Sequence, residues 1–306
     1  MLLDAATGLS RGGRDTQEDA VLCDVPRGGG AGIVVLADGL GGHTDGALAS
    51  RLAVSTALDT LTAHRDPDGA LRGEIPRLLR GAADAANRAL LAHVDDTPES
   101  RGMATTLLIA VVQSGALYWI SVGDSPLYLI RQGEVCQLNE THSLAVQLDL
   151  LVEVGEMTAE VAAAHPGRTC LTSALGADPI ERVDCPPDPV AIGAGDVLVA
   201  ASDGLLTLSA AEIAAQVRPR DQRPADLAQR LLDAVNAAGA EGQDNVSLAV
   251  LRAETSARPR ADGLRQRFGR SLRRLCVVAG SGAPRRPGPS DGSVPAMARG
   301  SVGARE

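Results

Sequence analysis

Short runs of valine, isoleucine and leucine, bounded by glycine, aspartate and proline, recur along the chain up to about residue 252. Such runs predict β-strands, which we place at 20–24, 31–37, 105–113, 116–122, 126–131, 134–138, 195–201 and 245–251. Several of them follow one another closely, and Ser114-Gly115 and Gln132-Gly133 have the composition of tight hairpin turns. Consecutive hairpins indicate antiparallel sheets.

Longer segments with apolar residues at helical spacing lie between the groups of strands. They predict α-helices at 45–64, 74–93, 143–155, 158–164, 209–217 and 223–238. Pro76 and Pro224 stand where prolines of a first helical turn are tolerated. Runs of helices beside runs of antiparallel strands predict an α+β fold in which helices pack on sheets.

The composition is that of a globular protein. The chain has 306 residues, of which 44% are hydrophobic and 22% charged. No segment approaches the roughly 20 consecutive apolar residues that cross a bilayer, and residues 1–13 lack an export signal, so we expect a cytoplasmic protein without a transmembrane segment. The five cysteines are scattered without CxxC spacing, which indicates neither a zinc site nor a disulfide framework.

Charge is unevenly distributed along the chain. All 29 basic residues are arginine, which excludes mechanisms that need a phosphate-binding or Schiff-base lysine. Residues 1–252 carry 18 Arg against 34 acidic residues, whereas residues 253–306 carry 11 Arg against 4. We therefore predict one domain over 1–252 and a basic, disordered tail over 253–306. Alternatively, the basic segment 264–278 contacts anionic lipid, nucleic acid or the acidic domain itself.

Four aspartates lie at or beside the ends of predicted strands, each next to glycine, serine or asparagine: Asp38, Asp124, Asp203 and Asp244. A buried carboxylate without a cationic partner is costly, so four of them at strand ends suggest one polynuclear metal site. Oxygen-only ligands suit Mg²⁺ or Mn²⁺, whereas zinc more often recruits histidine or cysteine. Arg14, Glu18 and Asp19 lie together before the first predicted strand and add an arginine and two acids to this set.

Six segments resemble, in order, the motifs of the metal-dependent serine/threonine protein phosphatases of the PP2C type in their bacterial form. They are RDTQED, VLADGLGGH, MATTLL, SVGDSPLYL, ASDGLLTL and GQDNVSL, and residues 141–176 are similar to the flap region of that family. The resemblance covers residues 1 to about 252. It implies an αββα sandwich, in which two antiparallel β-sheets are flanked by α-helices, with a metal cluster at one end.

The resemblance also implies a role for each matching residue. Asp38 would bridge two Mn²⁺ or Mg²⁺ ions, Gly39 would offer its carbonyl to one, and Asp203 and Asp244 would hold the metal on the other side. Glu18 and Asp19 would engage the cluster largely through water, Asp124 would hold a third, weaker ion, and Arg14 would clamp the substrate phosphate. Hydroxide bridging the two metals would then attack phosphoserine or phosphothreonine directly.

Several positions depart from the family pattern. Leu40 stands where eukaryotic members carry a histidine proposed as the leaving-group acid, Pro126 replaces an arginine, and Thr207 replaces an acid. None of them is an expected metal ligand. Among the histidines, we interpret His43 as lying near the cluster without binding metal, and His142 and His165 as structural caps, substrate contacts or a catalytic acid.

Three hypotheses remain open from the sequence. The first is an active phosphatase acting on phosphoproteins made by serine/threonine kinases, monomeric and with no nucleic-acid partner for its catalytic domain. The second is a catalytically silent phosphoprotein-binding module of the same fold, which the departures at Leu40, Pro126 and Thr207 favour. The third is a hydrolase of the same fold that acts on a small phosphomonoester.

Overall fold

Two five-stranded antiparallel sheets form the centre of the computed structural model, which describes residues 1–26, 28–40, 44–217 and 223–255. The first sheet has the order β1 (Leu2–Ser10), β12 (Val246–Glu254), β11 (Val197–Ala201), β8 (Leu127–Arg131) and β9 (Glu134–Gln137). The second has the order β10 (Val190–Ala191), β7 (Ala116–Val122), β6 (Leu107–Gln113), β3 (Ala31–Ala37) and β2 (Ala20–Asp24). A separate short pair joins β4 (Gly39–Leu40) to β5 (Ala104–Thr105).

Helices cover the outer faces of both sheets, and others lie in the flap region at residues 141–176. They are α1 (Thr44–Thr62), α2 (Ile75–Asp96), α3 (Leu144–Glu153), α4 (Ala159–Ala163), α5 (Ala210–Gln216) and α6 (Pro224–Ala238), with 3₁₀ turns at Pro98–Ser100 and Asp203–Thr207. Strand β3 shows how the layers form, because Ile33 and Val35 pack in the core with α1 and α2 whereas Val34 and Leu36 pack between the sheets. A third core joins α5 and α6 to the first sheet. The predicted αββα sandwich is confirmed.

The predicted hairpins and most element positions agree with the structure. Ser114-Gly115 and Gln132-Gly133 all have positive φ angles, as the two central residues of a type I′ turn require. The sequence did not indicate β1, which pairs with β12 over its whole length. Helix α1 begins at Thr44, one residue before the predicted start, so Asp45 lies within its first turn.

The last strand extends past the predicted domain boundary at residue 252. Strand β12 ends at Glu254, and Ala253 pairs with Leu3 and is 2% exposed, so both residues belong to the first sheet. The described residues all fall in one compact unit. The remainder of the predicted tail, from residue 256 onward, lies outside the described residues. Within the part of the chain that the structure describes, no helix is long and apolar enough to cross a membrane.

Candidate metal centre

The two sheets bring the predicted acidic residues to one end of the sandwich. Asp19 precedes β2 and Asp38 follows β3, and these antiparallel strands are neighbours in the second sheet. Asp203 follows β11 and Asp244 precedes β12, which are neighbours in the first sheet. Asp124 lies in the connection from β7 to β8, where the chain passes from one sheet to the other. Five carboxyl groups from both sheets therefore converge.

The carboxyl groups are close enough to raise one another's pKa values, in addition to the effect of burial. Burial raises the pKa of Asp38 well above its usual range, and the charges of Asp19, Asp203, Asp124 and Asp244 raise it further. Burial raises the pKa of Asp19 to about 7 and that of Asp124 to about 7, with the charge of Asp203 adding to both. The pKa of Asp203 is raised by burial and by Asp244. Such a cluster is electrostatically unfavourable without a cation.

The bonding of two of these carboxyl groups fits a hard cation. Asp19 Oδ1 and Asp203 Oδ1 are buried and have no hydrogen-bond partner among the described residues. Buried polar atoms are seldom left unsatisfied, and oxygen ligands suit Mg²⁺ and Mn²⁺. Among those same residues, no group of three or more His, Cys, Asp or Glu side chains has a geometry that by itself could hold a metal ion. The case for a cation therefore rests on charge, burial and unpaired oxygens.

Gly39 lies just after β3, where its backbone passes very close to the backbone of Glu18 and Gly46. Its N–H donates to the carbonyl oxygen of Glu18 at 3.2 Å. A Cβ atom on Gly39 would lie 2.1 Å from the carbonyl oxygen of Gly46 and 2.7 Å from that of Glu18, so only glycine fits. The close approach keeps Glu18 beside the turn that follows Asp38.

Arg14 lies at the edge of the cluster. Its Nη2 atom is 2.6 Å from Asp244 Oδ2, and its side chain is 56% exposed. Since guanidinium groups bind both carboxylates and phosphates through paired N–H donors, this arginine has access to an incoming anion. All eight predicted site residues are therefore at or next to this end of the sandwich.

Asn245 links the arginine-bearing loop to β12, and the sequence did not reveal this role. Its amide is 4% exposed. Its Oδ1 accepts from the N–H of Glu18 at 2.7 Å, and its Nδ2 donates to the carbonyl oxygens of Arg11 and Thr16, each at 2.9 Å. The Asn245 side chain thereby fixes the loop that carries Arg14 and Glu18 beside Asp244, the preceding residue.

Uncharged hydroxyl groups hold the two aspartates of the second sheet, Asp19 through its carboxyl group and Asp38 through its backbone. Ser202 is fully buried and donates to Asp19 Oδ2 at 2.7 Å. Thr106 Oγ1 accepts from the N–H of Asp38 at 2.9 Å, and Thr105 Oγ1 donates to the Asp38 carbonyl oxygen at 2.8 Å. Both threonines belong to a motif singled out in the sequence, but their function was not predicted. These contacts orient the acids without neutralising them.

The two histidines of the flap region are in structural positions. His142 is 1% exposed, and its Nδ1 accepts from the N–H of Gly123 at 3.2 Å. Burial and the charge of Arg182 lower its pKa. His165 Nδ1 accepts from the N–H of Gly167 at 3.1 Å. The structure thus favours the structural alternative for both, whereas His43 lies outside the described residues.

The three departures from the family pattern have local structural partners. Leu40 pairs with Ala104 in the β4–β5 ladder. The carbonyl oxygen of Pro126 accepts from the N–H of Ala201 at 3.0 Å. Thr207 Oγ1 donates to Gln243 Oε1 at 2.7 Å. Each residue is accommodated without displacing one of the clustered carboxylates.

Comparison with known proteins gives a consistent result. A family model described as Protein phosphatase 2C matches residues 11–207. The serine/threonine protein phosphatase PstP of Mycobacterium tuberculosis is 32% identical over 237 residues, which cover 78% of this chain and 42% of PstP. Protein phosphatase PhpP of Streptococcus pneumoniae is 32% identical over 242 residues, which cover 78% of this chain and 92% of PhpP.

The fold is also similar to solved structures. The catalytic domain of PstP in complex with 2 manganese ions matches with a TM-score of 0.67 and 30% identity, over 83% of this chain and 99% of that one. This chain therefore spans the whole of the PstP catalytic domain but less than half of the PstP protein that it matches.

Proposed function

Because the chain belongs to the protein phosphatase 2C family, we propose that it is a metal-dependent protein phosphatase that hydrolyses phosphoserine and phosphothreonine. The observation that carries the proposal is the cluster of carboxyl groups around Asp38, whose pKa is raised by burial and by the charges of its four acidic neighbours, with Arg14 beside the cluster. The family relationship supplies the reaction class, and the chemistry of the cluster agrees with it.

The residues that would hold Mn²⁺ or Mg²⁺ follow from the same cluster. Asp38, the Gly39 carbonyl, Asp203 and Asp244 would form the core of a two-ion site, and Asp124 would hold a third ion. Glu18 and Asp19 would bind at its edge, largely through water. When bound, such a pair of ions lowers the pKa of water so that it attacks phosphorus directly, and it offsets the charge of the phosphoryl group. The manganese ions of the PstP structure support this choice of cation.

The substrate phosphate would be bound by Arg14. A planar guanidinium donates two parallel hydrogen bonds to a phosphate, and the exposure of this side chain leaves it accessible. The chain has no lysine that could take over this contact. The proposed substrates, which carry phosphoserine or phosphothreonine, are phosphoproteins made by serine/threonine kinases. We retain a cytoplasmic location and a monomeric state as predictions, which fractionation and size-exclusion chromatography would test.

The test is hydrolysis of a phosphothreonine peptide by the purified full chain. We expect turnover with Mn²⁺, none with EDTA, and a loss of at least about a hundredfold in Asp38→Asn and Asp203→Asn, because each removes a charge that metal binding needs. Asp149→Asn is the matched control, since Asp149 is exposed and pairs with Arg168 in the flap. Full activity in Asp38→Asn would contradict the proposal.

The two alternatives give different results in the same preparation. A catalytically silent module would bind the phosphopeptide in calorimetry without releasing phosphate. A small-molecule hydrolase would release phosphate faster from metabolite-sized monoesters than from the peptide. Leu40 and Thr207 have structural partners in Ala104 and Gln243, so these two departures do not favour either alternative.

A further inference from the structure

The loop that carries Asp124 is attached to one buried histidine by two hydrogen bonds. The backbone N–H of His142 donates to the carbonyl oxygen of Gly123 at 2.9 Å, and the N–H of Gly123 donates back to His142 Nδ1 at 3.2 Å. Both polar groups of Gly123 are thus bound by the same residue. Asp124 is the next residue along the chain, so these hydrogen bonds help to fix the position of the Asp124 backbone, from which its carboxyl group extends.

Gly123 has a conformation that few other residues adopt. Its φ angle is +104°, and a Cβ atom there would lie 2.6 Å from Thr106 Cγ2 and 2.7 Å from Thr106 Cβ. Glycine has many other conformations open to it, so an external contact must select this one. The two hydrogen bonds to His142 provide that contact.

The other side of Asp124 is held by different residues. Ser125 Oγ lies 2.8 Å from Thr106 Oγ1, and Asn139 Nδ2 donates to the carbonyl oxygen of Ser125 at 2.9 Å. These contacts remain when the His142 side chain is changed. A substitution at His142 therefore releases one side of the loop and leaves the rest of it attached.

Of the two ring nitrogens of His142, Nδ1 forms a hydrogen bond. Nε2 is buried and has no partner among the described residues, whereas Nδ1 accepts from Gly123. Because Nδ1 accepts, the proton of the neutral ring must be on Nε2. The ring thus has the arrangement of a positioning group that works through the backbone of Gly123.

We propose that His142 positions Asp124 for the third, weaker cation, and this inference rests on the proposed function because it takes Asp124 as a metal ligand. Residues that orient a metal ligand without touching the metal usually contribute about 10- to 100-fold to affinity. Loss of the His142 acceptor should weaken the third site by that factor. The two-ion site should keep its affinity, since Asp38, Asp203 and Asp244 are held by other groups.

The test is a Mn²⁺ titration of the full chain by calorimetry and by electron paramagnetic resonance of the bound ion. Wild type, H142L, H142N and Asp124→Asn are compared. In H142N, Oδ1 occupies about the place of the histidine Nδ1 and accepts the same hydrogen bond, whereas H142L accepts none. We expect H142L to lose the weak site as Asp124→Asn does, and H142N to regain most of it.

Three results would overturn the inference. The first is H142L with weak-site affinity within about twofold of wild type, against the expected factor of 10 or more. The second is a folded H142L that loses strong and weak sites together, which would show that His142 does not act on the third site in particular. The third is wild type and Asp124→Asn binding Mn²⁺ identically.

A second pair of variants covers the case in which H142L does not fold. H142Q places its acceptor one methylene farther out than H142N, so H142N should bind the weak ion at least about tenfold more tightly. Equal affinities in this pair would also overturn the inference. Mn²⁺ binding without any peptide hydrolysis would refute the proposed function but leave this comparison valid, so the two failures are distinguishable.

Discussion

Without metal ions, the protein should lose stability as the pH rises, and the carboxyl group of Asp124 should account for a measurable part of the loss. Burial, with the charge of Asp203, raises the pKa of Asp124 from 3.8 to about 7. The folded state therefore binds one more proton than the unfolded state between these two values. The stabilising contribution is complete below pH 3.8 and is lost as the pH rises through about 7.

The size of this contribution follows from the shift. One pKa unit corresponds to about 1.4 kcal/mol, so the whole shift corresponds to about 4 kcal/mol. About 3 kcal/mol of it falls between about pH 5 and pH 8, since the contribution levels off above the folded pKa. A domain is stable by roughly 5–15 kcal/mol, so a change of this size is measurable.

The assay is urea unfolding in EDTA at several pH values for wild type and Asp124→Asn. Subtracting the two free energies of unfolding removes the contributions of titrating groups that do not interact with Asp124, whereas the interacting carboxyl groups of Asp38 and Asp203 add to the difference. We expect the variant to become more stable relative to wild type by about 3 kcal/mol as the pH rises from about 5 to about 8. With saturating Mn²⁺ the difference should reverse, because a ligand that binds only the folded state stabilises it.

Asp149→Asn is the control for this prediction. The hydrogen bond from Arg168 lowers the pKa of Asp149, so that its titration lies below the range of the experiment. Its difference from wild type should therefore be constant over this range. A difference between Asp124→Asn and wild type that is flat or falls with pH would refute the reasoning.

Three further predictions concern the loop, the phosphate contact and the end of the domain. Asn245→Ala removes the three hydrogen bonds of a buried side chain and should lower the urea-unfolding free energy by about 3–5 kcal/mol, whereas Asn236→Ala, at an exposed position, should change it by less than about 0.5 kcal/mol. Arg14→Ala should raise the KM for a phosphothreonine peptide by about 10- to 100-fold with Mn²⁺ affinity retained. Arg14→Lys should recover only part of the lost substrate affinity, since an ammonium group lacks the two parallel N–H donors of the planar guanidinium. A chain ending at Thr255 should hydrolyse p-nitrophenyl phosphate within about twofold of the full chain, whereas one ending at Arg252 loses two strand residues and should unfold at lower urea; equal urea midpoints would contradict the assignment of those residues to the sheet.

Much of the fold could be predicted because its signals are local. The continuous apolar run that forms the fully buried strand β3 and the residues of the two hairpin turns are each contained within a few consecutive positions. Strand β1 was not predictable in this way, since Leu2–Ser10 mixes alanine, glycine and polar residues. Its extended conformation comes from pairing with β12, at the other end of the domain. Such a partner does not appear in any short window of sequence.

The acidic residues of the site could be predicted, but the groups that orient them could not. Aspartate at a strand end is conspicuous because a buried charge is costly. Asn245 and Ser202 stand beside those aspartates in the same motifs, yet a neutral amide or hydroxyl has many harmless roles. The N–H of Glu18 is 227 positions away from the Asn245 amide that binds it, so only the folded structure shows the contact.

The uncharged character of these orienting groups explains why the cluster remains available to cations. Among the described residues, the contact with Arg14 is the one salt bridge that the clustered carboxylates form. Ser202, Thr106 and Asn245 position the acids or their backbone with dipoles alone. Had arginines held these acids, a metal ion would have to displace each of them before binding. An incoming phosphate dianion, in contrast, meets carboxylates that repel it until cations are bound. Under the proposed function, the charges therefore impose an order in which cations bind first and the phosphate follows.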